Sequence, residues 1–411
     1  MVGATARVRS GTGRENTNSV RRICRIHTSN ITRISLSADI LFKTHRTKMK
    51  SLFVKFFVLS AMLLGLPLTG IVISGHSPAR YLEFPPQTRY IQHATFSWLS
   101  FLCLAVFIIT VVIFLVNPLL RQKRTVFRKV DGNWPFPWWG WVSFLSFIFF
   151  WGVGWSRFDL FKRFQPHTFS PLWVSFIVFL NALSFRKNGF SILTHKTRIF
   201  LVLFPVSVVF WWFFEYLNRF VQNWYYLGVK FGPLEYFILA SLSFSTVLPA
   251  VASMHELLNN YVEFESRYYR WIKVNIEHVK ILPWAVLIIA GIGLACIGFL
   301  PDYLFPLLWV SPLLIVVCLQ IILREPHILK DLSKGNWVKV VSFSLSALAC
   351  GFFWEMWNYY SYARWEYSIP FVNRFQVFEM PILGYAGYLP FGLECALIIS
   401  MVETLIYKKK R

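Results

Sequence analysis

Long runs of apolar residues dominate this chain and alternate with short polar segments. A helix needs roughly 20 apolar residues to cross the hydrocarbon of a bilayer. Ten runs approach or reach that length, at 52–74, 95–117, 136–153, 171–185, 199–220, 234–256, 282–300, 305–323, 337–358 and 378–405. The pattern predicts an all-α fold, a polytopic membrane bundle of about ten transmembrane helices.

The overall composition excludes an ordinary soluble domain. Of 411 residues, 56% are hydrophobic, 19% are aromatic and only 15% are charged, and the mean hydropathy is +0.50. Such values are typical of integral membrane proteins. The expected surroundings are a lipid bilayer, with the inner (cytoplasmic) membrane of a bacterium as the predicted location.

The net charge of +23 has a topological explanation. Lysines and arginines concentrate after the second, fourth, sixth, eighth and tenth runs, and the positive-inside rule places those loops and both termini in the cytoplasm. Arg157, Lys162 and Arg163 depart from this pattern, because they fall in an outer loop. No soluble module of mixed aromatic and basic residues accompanies the charge, so a nucleic-acid partner is not expected.

The N-terminal part differs from the rest. Residues 1–48 are basic, rich in Ser and Thr and without hydrophobic periodicity, so we expect them to be disordered. Their composition is also similar to that of a transit peptide. Met49 stands directly before the first apolar run, as a natural start would, so an over-extended gene model explains residues 1–48 equally well. Residues 49–135 carry two N-terminal transmembrane helices.

The remaining chain contains one pattern twice. A glutamate near the end of an apolar run is followed by an asparagine three residues later, then by Trp-x-Tyr, then by a glutamate at a helix start. The two sets are Glu215, Asn218, Trp224, Tyr226 and Glu235, and Glu355, Asn358, Trp365, Tyr367 and Glu379. The pattern predicts two parallel four-helix repeats, 136–258 and 282–405, related by an axis near the membrane normal, an arrangement that commonly places a site between the copies.

These polar residues form the candidate site. A carboxylate in an apolar helix is costly and is functional by default, so Glu215, Glu235, Glu355 and Glu379 are the predicted catalytic acids. Asn218 and Asn358 would orient them, and Trp224, Tyr226, Trp365 and Tyr367 would line a substrate slot. Glu394, deep in the last run, would extend the polar track. The alternative is structural: the acids cap helices, are hydrated at the membrane boundary, or pair with nearby arginines.

The available chemistry is acid–base. The chain has no GxSxG elbow, HExxH helix or Walker loop, and its six cysteines lack paired metal-ligand spacing, so neither a cofactor nor a metal is predicted. A carboxyl group in an apolar pocket favours its neutral form. Such a group can act as a general acid while a second carboxylate takes a proton away.

The repeated motif resembles that of the small membrane-bound lycopene cyclase-domain proteins. The resemblance rests on Glu355-x-x-Asn358, Trp365-x-Tyr367 and Glu379-Met380-Pro381, with the matching residues of the first copy, and covers about a third of the chain. It implies a helical membrane fold and non-redox, acid-initiated cyclisation of a polyene end group through a carbocation. The family usually has two adjacent acids after its Pro-apolar step, whereas Glu235 here is followed by Tyr236.

Two classes of function remain open. One is an enzyme that acts on an isoprenoid or another lipid-like small molecule with its intramembrane glutamates. The other is a secondary transporter or channel with a proton-coupled acidic site between the two repeats. Neither copy shows the Gly/Pro-broken helix pair that is typical of transported-ion sites, which counts against transport. A purely structural membrane partner is a third possibility.

The topology makes a direct prediction. Reporter domains fused after residues 190 and 365 should lie on opposite sides of the membrane, because the first position belongs to a basic loop and the second to an aromatic one. Accessibility of each reporter to a membrane-impermeant label measures this. Labelling of both from the same side would contradict the predicted topology.

Overall fold

The computed structural model describes residues 51, 53–120, 132, 134–228, 231–261, 264–277 and 279–407. The chain divides into Met1–Val58, whose described residues are helical, and a large unit, Leu59–Arg411, which contains everything discussed below. The disorder predicted for residues 1–48 concerns a segment outside the described residues.

The large unit is mainly helical. Its α-helices are α1 Leu66–Ile73, α2 Ala79–Leu82, α3 Trp98–Leu120, α4 Trp138–Trp155, α5 Phe169–Asn188, α6 Ile192–His195, α7 Thr197–Val221, α8 Pro233–Phe244, α9 Val247–Tyr261, α10 Phe264–Tyr268, α11 Leu282–Ala295, α12 Pro301–Ile322, α13 Val338–Tyr359 and α14 Tyr388–Tyr407. Its strands are β1 Trp224–Leu227, β2 Arg364–Tyr367, β3 Gln376–Val377 and β4 Met380–Pro381.

Within the described residues, eight helical segments are long and apolar enough to cross a membrane. They are Phe53–Ile73, Trp98–Leu120, Phe169–Asn188, Thr197–Val221, Pro233–Tyr261, Pro301–Ile322, Val338–Tyr359 and Ile382–Ile406. The prediction of a helical integral membrane protein is therefore confirmed. The two other predicted spans correspond to α4, which is tryptophan-rich, and to the shorter apolar helix Leu282–Gly298. The count of ten crossings stays a prediction.

Helix α9 occupies the centre of the bundle. It packs against α5, α7, α13 and α14, while α4 packs on α5 and α13 on α14. The face that α9 presents to these neighbours consists of small and medium apolar side chains, including Leu248, Ala250 and Val251, all of them fully buried. Small side chains allow membrane helices to approach closely, because lipid offers no hydrophobic drive for them to associate.

The helices that return from the site are not regular, contrary to the sequence-based expectation. The span Pro233–Tyr261 is interrupted between α8 and α9 at Ser245 and Thr246, and in the later part of the chain a 3₁₀ segment, Ile382–Gly387, precedes α14. Pro249 and Pro390 explain both breaks. A proline lacks the N–H that would bond the carbonyl four residues earlier, and its ring crowds that carbonyl. The sequence was interpreted as lacking a Gly/Pro-broken helix pair, and the break between α8 and α9 departs from that interpretation.

Two short sheets modify the all-helical prediction. Strands β1 and β2 pair in antiparallel register, with Tyr225 opposite Glu366, and β3 pairs with β4. The aromatic residues of β1 and β2 were predicted to line a substrate slot, and no strands were predicted there. The pairing of β1 with β2 joins the segment that follows α7 to the segment that follows α13 through backbone hydrogen bonds.

The close packing of α13 on α14 predicts that a larger side chain at their contact destabilises the protein. A Cβ atom at Gly392 would overlap the backbone carbonyl of Phe343, which cannot move without bending α13. Gly392→Ala should therefore lower the free energy of unfolding by about 1–3 kcal/mol. Thermal unfolding of the purified protein in detergent would measure the change. Gly387→Ala is the matched control, because open space surrounds that position, and equal midpoints for the two variants would contradict the packing.

Candidate functional site

Asn218 connects the end of α7 to the start of β1. Its Nδ2 donates to the carbonyl of Trp224 at 2.8 Å, and its Oδ1 accepts from the backbone N–H of Asn223 at 2.8 Å. Backbone groups at and beyond the end of a helix need hydrogen-bond partners from outside the helix. The side chain of Asn218 supplies these partners for Asn223 and Trp224. Gln222, with a φ of 47°, turns the chain away from the axis of α7.

Asn358 forms equivalent hydrogen bonds to the backbone beyond the end of α13. Its Nδ2 donates to the carbonyl of Trp365 at 2.7 Å, and its Oδ1 accepts from the N–H of the same residue at 2.8 Å. Both asparagines are fully buried. Their amides hold the strands in place and are not hydrogen-bonded to the glutamates one turn earlier.

The paired strands present four aromatic side chains on one face. Trp224 lies opposite Tyr367, and Tyr226 lies opposite Trp365. Directly opposite residues of an antiparallel pair share a face, as do alternate residues of one strand. The Trp-x-Tyr motifs that the sequence shows twice therefore meet on a single surface.

Glu215 lies against this surface and is fully buried. Its Oε1 accepts three hydrogen bonds, from Nε1 of Trp211 at 3.1 Å, from Nε1 of Trp224 at 3.1 Å and from the hydroxyl of Tyr226 at 2.6 Å. Trp211 stands one turn earlier on α7, where the i, i+4 spacing brings its indole to the carboxyl group.

Glu355 has an equivalent environment with one exchange. Its Oε1 accepts from the hydroxyls of Tyr367 and Tyr388, both at 2.7 Å, and Nε1 of Trp365 donates to the Tyr367 hydroxyl at 3.0 Å. The position one turn earlier, which Trp211 occupies on α7, is Gly351 on α13. A Cβ atom there would overlap the ring of Tyr388. The glycine therefore makes room for the tyrosine that replaces the indole donor.

The second carboxyl oxygen is what the two glutamates share. Oε2 of Glu215 and Oε2 of Glu355 are both buried and have no hydrogen-bond partner among the described residues. A buried polar atom without a partner costs about 1–3 kcal/mol. A carboxyl group that is held through one oxygen and free at the other is arranged to give or take a proton at the free oxygen.

One ring connects the two centres. The ring centroid of Phe391 lies 5.8 Å from that of Trp211, which donates to Glu215, and 6.5 Å from that of Tyr388, which donates to Glu355. The ring of Trp309 is tilted against that of Trp224, with the centroids 4.9 Å apart. The glutamates therefore share an aromatic wall, and aromatic faces attract cations.

The opposite face of the strand pair is polar. The Tyr225 hydroxyl donates to Glu366 Oε2 at 3.0 Å, and Arg364 pairs with Oε1 of the same carboxylate at 3.0 Å. Burial, together with the hydrogen bond to Glu366, raises the pKa of Tyr225 to about 12. Partial burial and the negative charge of Glu366 raise the pKa of Glu379 above its ordinary value.

The tyrosines of the inner face have perturbed pKa values too. Burial, followed by the neighbouring Glu215, raises the pKa of Tyr226 well above its ordinary value, and burial beside Glu355 does the same to Tyr367. Both hydroxyls therefore keep their protons at neutral pH and remain donors to the carboxyl groups.

The remaining predicted acids have other positions. Glu235 is exposed in the first turn of α8, and Glu379 is half-buried next to the polar face. Glu394 is buried in α14, where its Oε1 has no partner among the described residues. The structure thus brings Glu215 and Glu355 to one aromatic surface and leaves Glu235 outside it.

Sequence reasoning missed Trp211, Tyr388 and Glu366. Trp211 could have been found from its i, i+4 spacing to Glu215. Tyr388 carries no such signal, because its counterpart in the first copy is Val247, which has no hydroxyl. Glu366 stands inside the second Trp-x-Tyr motif, opposite Tyr225, and only strand pairing reveals their contact.

Two surface concavities among the described residues are lined by side chains other than these acids. One, of about 360 Å³, lies on the outer side of α3. The other, of about 460 Å³, lies between α4 and the segment that follows it. The carboxyl groups of Glu215 and Glu355 contact the aromatic side chains of Trp211, Trp224, Tyr226, Tyr367 and Tyr388.

No family model matches this chain, and neither a curated protein nor a solved structure does.

The hydrogen bonds between Asn358 and the backbone of Trp365 predict that replacing Asn358 destabilises the protein. Asn358→Ala should leave the N–H and carbonyl of Trp365 without partners and so lower the free energy of unfolding by about 1–3 kcal/mol for each group left buried. Thermal unfolding in detergent, followed by tryptophan fluorescence, measures this. Asn275→Ala is the control, since Asn275 is exposed and its change should stay within about 0.5 kcal/mol. Equal stability of the two variants would contradict the bracketing role.

Proposed function

We propose that the two halves of the chain are tandem repeats that build one acid–base site. We further propose that this site catalyses acid-initiated rearrangement of an isoprenoid or similar lipid-like polyene. The observation that carries the proposal is the pair of buried carboxyl groups, each held through Oε1 by aromatic donors and without a partner at Oε2.

Four features support the duplication. Equivalent asparagines bracket equivalent strands, and those strands pair with each other through equivalent residues, Tyr225 and Glu366. Helices α9 and α14 begin at Val247 and Tyr388, which are 141 residues apart, as are Trp224 and Trp365. Both helices follow a proline-linked break. An antiparallel pairing of equivalent residues is what a local two-fold axis between two repeats requires.

The proposed reaction consists of proton transfers and carbon–carbon bond formation, without oxidation or reduction. Oε2 of protonated Glu355 delivers its proton to the terminal carbon of an alkene, whose π electrons form the new C–H bond and leave a carbocation on the adjacent carbon. A neighbouring double bond donates its π electrons to that cation and closes a ring. Oε2 of ionised Glu215 then removes a proton from a carbon next to the new cation, which restores a double bond. The product is an isomer of the substrate.

The aromatic wall suits this chemistry. Trp211, Phe391 and Tyr388 run from one carboxyl group to the other, and their faces stabilise positive charge by about 0.5–2 kcal/mol each when water is excluded. An apolar substrate would enter laterally from the bilayer. The motif-level resemblance to lycopene cyclase-domain proteins implies the same reaction class.

A proton-coupled transporter is the second candidate, and the two broken helices favour it. Interrupted helices near the midplane are typical of transporter sites, and Pro233–Tyr261 is interrupted next to the site. Glu394, buried in α14, would continue a proton path inward. A transporter would move protons without transferring them to carbon, which separates the two functions.

Deuterium incorporation tests the proposed enzyme. Membranes containing the protein, incubated in D₂O with a panel of acyclic isoprenoid polyenes, should yield an isomeric product with one deuterium per ring formed, detected by liquid chromatography and mass spectrometry. Glu355→Gln keeps the shape of the side chain but removes the transferable proton. It should lower the rate by about 10²-fold or more.

The controls separate catalysis from folding and from transport. Glu265→Gln, at an exposed position on α10, should retain the wild-type rate. Tyr388→Phe removes one donor to Glu355 and should give an intermediate rate. Absence of carbon-bound deuterium with every polyene, together with a proton flux in liposomes that Glu355→Gln abolishes, would reject the enzyme in favour of the transporter.

A further inference from the structure

The segment between α4 and α5 combines exposed apolar and basic side chains. Phe158, Leu160 and Phe164 are 70%, 80% and 60% exposed, and Lys162 and Arg163 stand among them, also exposed. Large apolar side chains beside lysine and arginine are typical of segments that lie in the membrane interface.

Hydrogen bonds hold this segment in a defined conformation. Gln165 is buried and donates to the carbonyl of Ser156, and the Thr168 hydroxyl donates to the Gln165 carbonyl at 3.0 Å. Arg157 donates to the carbonyl of Tyr360 at 2.7 Å and lies over its ring. These bonds fix the segment against the end of α13, at the membrane end where the paired strands lie.

An apolar groove of about 460 Å³ opens between this segment and α4. One side is formed by α4, and the other by the segment itself; the lining residues are Phe149, Phe150, Val153, Leu160, Phe161, Phe164, His167 and Thr168. Apart from His167 and Thr168, the lining side chains are apolar, and such a surface suits a hydrocarbon chain.

The basic residues beside the groove indicate where the polar, anionic end of a bound molecule would lie. Lys162 and Arg163 lie between two lining residues, Phe161 and Phe164, and neither forms an ion pair with any part of the chain that the structure describes. The single acid of the segment is Asp159.

We propose that this groove binds an anionic phospholipid, with an acyl chain against α4 and the phosphate at Lys162 and Arg163. The site is separate from the buried glutamates and does not depend on the proposed reaction. Its occupant would anchor the segment and, through Arg157 and Tyr360, the end of α13.

Lipid retention by the purified protein tests this proposal. Native mass spectrometry in detergent, with equal amounts of phosphatidylglycerol and phosphatidylcholine, should show a preference for phosphatidylglycerol on the order of tenfold, from two basic residues near an anionic surface. Lys162→Glu/Arg163→Glu should abolish the preference. Leu160→Ser/Phe164→Ser should lower retention of both lipids, because the chain loses apolar contact.

The matched control is Arg270→Glu/Lys273→Glu, which makes the same charge change at two exposed positions after α10 and should keep the preference. If the charge-reversed pair fails to fold, Lys162→Gln/Arg163→Gln replaces it. The proposal is overturned if phosphatidylglycerol is retained equally by the charge-reversed protein, if the control loses the preference as well, or if water-soluble glycerol phosphate competes as strongly as the lipid.

Discussion

A buried carboxyl group in a membrane helix must find its hydrogen bonds inside the protein, and the rest of this structure depends on that constraint. Lipid offers no donors, so an unpartnered carboxyl oxygen cannot be hydrated there. For Glu215 and Glu355 the donors come from indoles and phenols, which are apolar over most of their surface and polar at one atom. The aromatic richness near both glutamates is therefore the means by which two acids are kept inside the bundle.

The donors must be held at fixed positions, and the paired strands hold them. Trp224, Tyr226 and Tyr367 follow helix ends, where a free loop would let them move. Asn218 and Asn358 fix the chain as it leaves each helix, and the antiparallel pairing then sets the four side chains on one face. Each glutamate takes its hydrogen-bond donors from its own half of the chain, and the pairing of one strand from each half brings the two environments onto one face.

The helical membrane character of the fold could be predicted from the sequence, since the length of the apolar runs reflects the thickness of the bilayer. The predicted spacing of Glu and Asn also agrees with the helices, since each pair lies one turn apart on α7 or α13. The role of the asparagines was not predictable, because a side chain one turn from an acid is equally able to bond that acid or the backbone beyond the helix. Strand pairing and the position of Tyr388 depend on contacts between distant segments. The helix breaks at Pro249 and Pro390 were marked in the sequence, but proline is tolerated in membrane helices, and only the surroundings decide whether it interrupts one.

The difference between the two copies assigns their roles under the proposed function. Glu215 accepts from two indoles and one phenol, whereas Glu355 accepts from two phenols. An indole N–H is a donor only, but a phenol hydroxyl both donates and accepts, so it can pass a proton on. Tyr367 already accepts from Trp365 while it donates to Glu355. Because that indole has no transferable proton, under the proposed function a proton lost from Glu355 would be replaced through the hydroxyl of Tyr388, and Gly351 makes room for the ring of Tyr388. Glu215, with two donors that cannot relay protons, is better suited to remain ionised until it receives one from the substrate.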